Sequence, residues 1–334
     1  MLAGRQYGAQ ASLPGVVIDT AGAFADWRHP LGAGLSLEIG GRLDRVASQA
    51  DEAIANTNLY YAYHQPRSTS RDDVLPAGKI KLAGQSGPVQ WNIAAGHTAR
   101  VAEGNERYFA LQRAGSDWVG SPDLRPARNT GVDAGVAWTR AGASLSAQAY
   151  AYRVDGYIAV YDQARMAMVP GVMNAKARTY ANVDATMTGV EASASVPAGP
   201  RVFVSGDLSY VRGSQAGDEA LGIQASPLAE MPALRGRARV RYDDGRAFVL
   251  AEQVVTGDQE RVDPNLGESP TPGAGFTNLS AGYRWERMTV TAGVSNLFDR
   301  YYVDALSYQR DPFRTGTRVP EPGRQWFVNL AWRF

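Results

Sequence analysis

The sequence predicts an all-β protein, an antiparallel up-and-down transmembrane β-barrel of about fourteen strands. Three observations predict it. The first is the closing stretch, residues 325–334. Trp326, Val328, Leu330, Trp332 and Phe334 alternate there with Gln325, Phe327, Asn329, Ala331 and Arg333, the period of two that marks a strand with unlike faces. The second is a regular alternation of short turns and long polar connections. The third is the placement of aromatics, which track the short turns. A final strand this apolar fits a closed barrel in lipid, where both edges are paired. It would also fit the last strand of a soluble sandwich. The rest of the chain decides between them.

Composition sets the outer limits. The chain has 334 residues, with 34 Lys+Arg against 33 Asp+Glu. That balance argues against a nucleic-acid partner, which calls for a strongly basic surface. Mean hydropathy is −0.29, and no run approaches the roughly 18 apolar residues of a membrane helix. Barrel strands dilute their own hydropathy by alternating, so this does not exclude a membrane protein. The 36 glycines and 16 tyrosines suit strands joined by tight turns. Cysteine is absent, which removes disulfides and thiol chemistry. Residues 1–8 show no charged-then-apolar leader pattern, so no secretory signal is expected.

Taken in order, short turns are expected near 30–34, 84–88, 140–143, 197–201, 243–246 and 286–287. Longer connections fall near 49–74, 102–128, 162–179, 215–230, 258–275 and 300–324. The segments between them include 35–46, 89–100, 130–139, 144–157, 188–196, 202–211, 234–242, 277–285 and 288–298. Most are near the roughly 9–11 residues that a spanning strand needs. Strict long/short alternation is not a sandwich habit. Trp27, Trp91, Trp138, Trp285 and Tyr242 each sit near a short turn, and Trp332 is expected at the same level. Amphipathic rings prefer the headgroup region, whereas a dry core gives them no reason to follow turns.

The opposite faces are polar. Arg235, Arg237, Arg239 and Arg241 share one face, against Leu234, Gly236, Ala238, Val240 and Tyr242 on the other. Four arginines on one strand face belong in neither lipid nor a dry core. They are expected to line a lumen, with Glu191 and Asp207 as lumen-lining acids. Val190, Ala192 and Ala194 oppose Glu191, Ser193 and Ser195; Val204 and Leu208 oppose Ser205, Asp207 and Ser209. Leu35, Leu37, Ile39 and Leu43 oppose Ser36, Glu38, Arg42 and Asp44. Segment 247–256 is ambiguous, because Glu252 shares a face with Phe248 and Leu250.

No catalytic constellation stands out, so no enzyme and no cofactor is expected. His29, His64 and His97 have no metal-site spacing, and His64 is read as a solvated loop residue. Met166, Met168 and Met173 put three of the seven methionines into eight residues of one long connection. Thioether sulfur suits Cu(I), and the Met-x-Met spacing puts two sulfurs on one side of an extended segment. These three are the candidate metal ligands; packing of the loop is the plainer reading, since Met fills gaps. Tyr60, Tyr61, Tyr63, Arg107, Tyr108, Phe109, Arg310, Phe313 and Arg314 would grip an anionic chelate or pack loop against loop.

Several stretches are more specific than periodicity. Gly293-Val294-Ser295-Asn296-Leu297-Phe298-Asp299-Arg300-Tyr301-Tyr302 resembles the penultimate-strand motif of TonB-dependent outer-membrane receptors. Pro320-Glu321-Pro322-Gly323-Arg324 resembles the same family's closing segment. Ser121-Pro122-Asp123-Leu124-Arg125-Pro126-Ala127 resembles its N-P-x-L-x-P-E stretch, departing from it at Ser121 and Ala127. Residues 180–184, followed by Gly189-Val190-Glu191, resemble its G-x-E strand. The resemblance implies a roughly 22-stranded barrel with an N-terminal plug inside it. It implies uptake of a scarce nutrient, driven by TonB, at the cell outer membrane. The 334 residues are too few for that whole, so residues 1–334 are expected to be the C-terminal portion of such a barrel, with the plug absent. The implied partners are a metal ion or metal chelate, TonB through the missing plug, and outer-membrane lipid. A monomer is expected. The Tyr161–Asp184 region also has some likeness to copper-uptake receptors, while a ferric siderophore remains the other ligand class. A complete, passive porin-like channel is the alternative.

Overall fold

The computed structural model describes residues 12–311 and 314–333. Phe313 and Phe334 lie outside these, as do the side chains of Arg310 and Arg314. Thirteen strands run in sequence order: β1 (Val16–Gly32), β2 (Leu35–Ala50), β3 (Ser70–Ser86), β4 (Val89–Arg100), β5 (Ala127–Arg140), β6 (Ala143–Ala164) and β7 (Lys176–Pro197). They continue as β8 (Val202–Gln215), β9 (Arg235–Asp243), β10 (Ala247–Thr256), β11 (Ala274–Arg284), β12 (Met288–Ser295) and β13 (Gln325–Trp332). Each pairs antiparallel with the next, which is an up-and-down meander. Three strands of two or three residues, Ala110–Leu111, Asp117–Val119 and Ser226–Pro227, bring the sheet to 16. Among the described residues β1 and β13 do not pair with each other, so the barrel is partial.

Turn chemistry explains the meander. Ala33 and Gly34 have φ of 50° and 76°, and Ala141 and Gly142 have 51° and 81°. Positive φ at both central positions is the type I′ arrangement, whose twist matches two-residue hairpins. All six short connections gather at one end and all the long ones at the other, as an unbroken antiparallel meander requires.

The strand faces follow the expected parity. Register pairs Ser36, Ala83, Asn92, Gly135 and Gln148 around one face, and Leu37, Leu82, Ile93, Ala134 and Ala149 around the other. Trp91 and Trp138 share the apolar face, and the Trp91 ring lies over Gly84. A Cβ on Gly84 would meet that ring at 2.5 Å, so only glycine lets it lie flat. Trp326, Val328, Leu330 and Trp332 lie on this face and are well exposed. The ambiguous segment settles as β10, with Glu252 opposite Arg239 on the polar face.

Two expectations fail at the long-connection end. Strands β6 and β7 have 22 residues each, more than a bilayer needs. A bulge lies between Val154 and Tyr157, with Gly156 at φ 69°. Beyond it the hairpin rises clear, and Ile158, Ala159, Tyr161, Ala181 and Val183 are covered on both faces. The connection read as 49–74 is largely ordered. Strands β2 and β3 extend into it, and α1 (Thr57–His64) fills the remainder. Asn56 caps α1, its Oδ1 accepting from the Leu59 amide at 3.1 Å. A five-residue helix, α2 (Gly104–Tyr108), begins at a capping box between Glu103 and Glu106. The hydrophobic core therefore sits at this end rather than between the strands. Its main cluster joins Ala50, Leu59, Tyr60, Tyr63, Tyr108, Val119, Val169 and Val172 from four separate stretches.

Candidate functional site

Two features stand out: a charged strand face and a packed cap at the long-connection end. Arg235, Arg237, Arg239 and Arg241 lie on one face of β9, opposite Ser209, Asp207, Ser205 and Phe203 of β8. Asp207 accepts from Arg237 Nε at 2.8 Å and from Arg239 Nη1 at 3.1 Å. Arg239 Nε also donates to Glu252 at 2.6 Å. Arg241 and Arg284 both bond Asp243, and both guanidinium groups lie over the Phe248 ring, at 5.2 and 4.6 Å. Glu191 lies on the same face but has no ion pair among the described residues, and neither does Arg235. A cavity of about 860 Å³ opens on this face, lined by Lys81, Gln90, Gln148, Glu191, Asp207 and Arg237 among others. The arrangement is charged and cross-linked along the sheet, with alternating sign.

The cap is built on two buried carboxylates. Arg107 is fully buried, and its guanidinium donates to Asp73 at 2.5 Å, Ser48 at 2.8 Å and the Leu124 carbonyl at 2.9 Å. This fastens α2 and its connection to β2 and β3. Asp117 is equally buried. It accepts from the Tyr63 hydroxyl at 2.7 Å and from Asn174 Nδ2 at 2.6 Å, so three connections meet at one carboxylate. Burial and the bond to Asp117 push the Tyr63 hydroxyl pKa up. Tyr60 donates to the Tyr108 carbonyl at 2.5 Å. Tyr60, Tyr63, Arg107 and Tyr108 are thus spent on loop packing, and the chelate-gripping reading fails for them. Phe109 packs on Trp118, with ring centroids 5.0 Å apart. Tyr61, half-buried, lies under the Arg67 guanidinium.

His64 corrects the solvated reading. Its Nε2 lies 2.7 Å from Oγ1 of the fully buried Thr179, and burial pushes its pKa from 6.5 to about 4. The reason is α1, which turns His64 into the cap. His29 stacks on Trp27, and His97 pairs with Thr130 at 2.7 Å. Among the described residues no cluster of three or more His, Asp or Glu could hold a metal ion.

Met166, Met168 and Met173 occupy the tip between β6 and β7. Met168 is 84 % exposed and Met173 85 %, with Met166 at 53 %. Their thioethers are therefore presented to solvent. Sequence reasoning missed Asp73, Asp117, Asn174 and Thr179; nothing in their spacing distinguishes them from solvated loop residues.

The motif stretches have local structural reasons. Asn296, at φ 50°, is buried and brackets Arg300, accepting from its amide at 2.9 Å and donating to its carbonyl at 2.8 Å. Asp299 accepts from the Arg324 amide at 2.8 Å, joining the penultimate-strand motif to the closing segment. Arg125 exchanges two hydrogen bonds with Asn182 of β7.

Comparison with known proteins gives a consistent fold. A family model described as TonB dependent receptor-like, beta-barrel matches residues 3–297. No curated protein matches the chain. Among solved structures, the copper transporter OprC is similar at a TM-score of 0.78 and 23 % identity, covering 95 % of this chain and 48 % of that one. The FrpB iron transporter from Neisseria meningitidis is similar at 0.69 and 12 %, covering 96 % and 46 %. A mutant of the ferric enterobactin receptor PfeA from Pseudomonas aeruginosa is similar at 0.64 and 14 %, covering 96 % and 54 %. The chain thus spans about half the length of these receptors.

Proposed function

We propose that this chain, which belongs to the TonB-dependent receptor β-barrel family, is the C-terminal portion of an outer-membrane receptor that takes up a metal ion or metal chelate. Its 334 residues then form part of a larger barrel, with a plug domain and further strands supplied by additional sequence. Coverage of about half of each solved receptor supports that division. The complete receptor would act as a monomer in outer-membrane lipid and draw its energy from TonB through the plug.

Of the ligand classes, a soft metal ion is the better supported. The observation that carries this is the exposure of Met168 and Met173 at 84 % and 85 %. A methionine that fills a gap is buried; these are not. Tyr60, Tyr63, Tyr108 and Arg107, which would have gripped an anionic chelate, are buried in loop packing. Arg235, Arg237, Arg239 and Arg241, with Glu191 and Asp207, line the inner face as a charged, hydrated wall. In this reading they flank the ligand's path and contact the plug.

The test is uptake by cells lacking the full-length gene. Radiolabelled copper accumulation should fall in the deletion, return with the gene, and fail to return when TonB is absent. Accumulation that ignores TonB would fit a passive porin-like channel and contradict the proposal. Loss of ferric siderophore uptake with copper unchanged would keep the receptor and replace the ligand.

A further inference from the structure

We infer that Asp117 is a positioning residue that presents Met168 and Met173 as a thioether pair for a soft monovalent metal ion. This rests on the metal-uptake reading and goes further into the same site.

The methionine tip is a small hairpin of its own. The Arg165 amide donates to the Ala175 carbonyl at 2.8 Å, one step beyond the Ala164–Lys176 pair that ends β6 and β7. At the tip the Val172 amide donates to the Val169 carbonyl at 3.1 Å. Pro170 and Gly171 lie between them, with Gly171 at φ 84°. Pro followed by a positive-φ glycine is the signature of a type II turn, which brings its end residues within about 7 Å. Val169 and Val172 are both buried in the cap. Met168 and Met173, the residues that flank this turn, are exposed instead. Met166, two residues back, is also exposed.

Such a tip needs an anchor, since a free eleven-residue loop would spread its sulfurs over many positions. Asp117 supplies it from another connection. Its carboxylate holds Asn174, the neighbour of Met173, at 2.6 Å, and Tyr63 at 2.7 Å. Asn174 Nδ2 also donates to the Arg113 carbonyl at 2.7 Å. On the other limb the Met166 and Ala167 amides both donate to the Ala62 carbonyl, one residue before Tyr63. Gln112 Nε2 holds the Gly171 carbonyl at 2.9 Å. Both limbs and the tip are thereby fixed to α1 and to the stretch ending at Asp117. Thioethers are weak, soft donors, suited to Cu(I) and Ag(I). Their affinity depends on arriving together, and pre-arrangement removes the ordering cost of binding.

The test uses the full-length receptor in detergent, titrated anaerobically with Cu(I) and separately with Ag(I), with sulfur coordination read by X-ray absorption. Met168→Leu with Met173→Leu should weaken binding and remove sulfur neighbours. Asp117→Ala should weaken it by about tenfold through lost pre-arrangement, with fewer sulfurs around the metal although every methionine is present. Tyr63→Phe, which keeps the ring in the core and is the milder change, should shift both readouts the same way. If the methionine variant loses affinity while Asp117→Ala and Tyr63→Phe match the parent in affinity and sulfur count, the positioning role is overturned and the metal site stands. If the methionine variant binds like the parent, the metal site falls and the inference falls with it.

Discussion

At the scale of the residue, the cap depends on a few buried polar groups. Arg107 and Asp73 are both buried, and removing one partner strands the other's charge. Such a loss typically costs about 3–5 kcal/mol. Asp73→Ala should therefore loosen α2 and its connection, read as faster amide exchange across 103–125, while strands β8 to β12 stay protected. His64 adds a pH dependence with a definite sign. Burial holds its pKa near 4, below the ordinary 6.5. The unfolded segment takes up a proton first, so the cap keeps its full stability above about pH 6.5 and loses it as pH falls towards 4. Exchange of the α1 amides should accelerate across that window after correction for intrinsic rates. His64→Gln should flatten the response, and an unchanged response would assign the pH dependence elsewhere.

At the scale of the element, two faces of β9 make opposite demands. Val240 lies on the apolar face between Val204 and Ala251. Val240→Arg should cost about 2–4 kcal/mol near the bilayer midplane. Arg235 has no ion pair among the described residues, so Arg235→Ser should stay within about 0.5 kcal/mol. Refolding into lipid vesicles over a urea series measures both, and equal losses would contradict the assigned faces. Arg239 is a poorer control than alternation alone suggests, because it bridges Asp207 and Glu252. Faces like these were legible in the sequence, since a period of two is a local property of the chain. The short turns and the tryptophans near them were legible because they too are local features of the chain. The cap was not. Helix α1 has only eight residues, and its Tyr60 and Tyr63 are buried by partners 48 to 113 positions away. Contacts at that separation leave no periodic trace. The methionine cluster could be read, but its anchor Asp117 could not, because Asn174 is 57 residues further on.

At the scale of the molecule, the proposed larger barrel has a direct consequence. Strands β1 and β13 each present an unpaired edge among the described residues. Unpaired backbone groups are costly in lipid and attract other chains in water. The 334-residue chain alone should aggregate or close imperfectly in detergent, whereas the full-length receptor should run as a heat-modifiable monomer on gels. A clean, ion-conducting monomer from the chain alone would favour the passive channel. In the proposed receptor the packed, methionine-bearing cap faces outward from the outer membrane, with the short turns beneath. These 334 residues hold no cysteine, so single cysteine substitutions here are read in a full-length receptor in which any cysteine outside them is first replaced by serine. The most direct measurement is labelling of whole cells with a membrane-impermeant maleimide. Met168→Cys should label in intact cells, Ala141→Cys only after the outer membrane is opened, and Val240→Cys in neither state. Labelling of Ala141→Cys in intact cells with Met168→Cys protected would contradict this orientation.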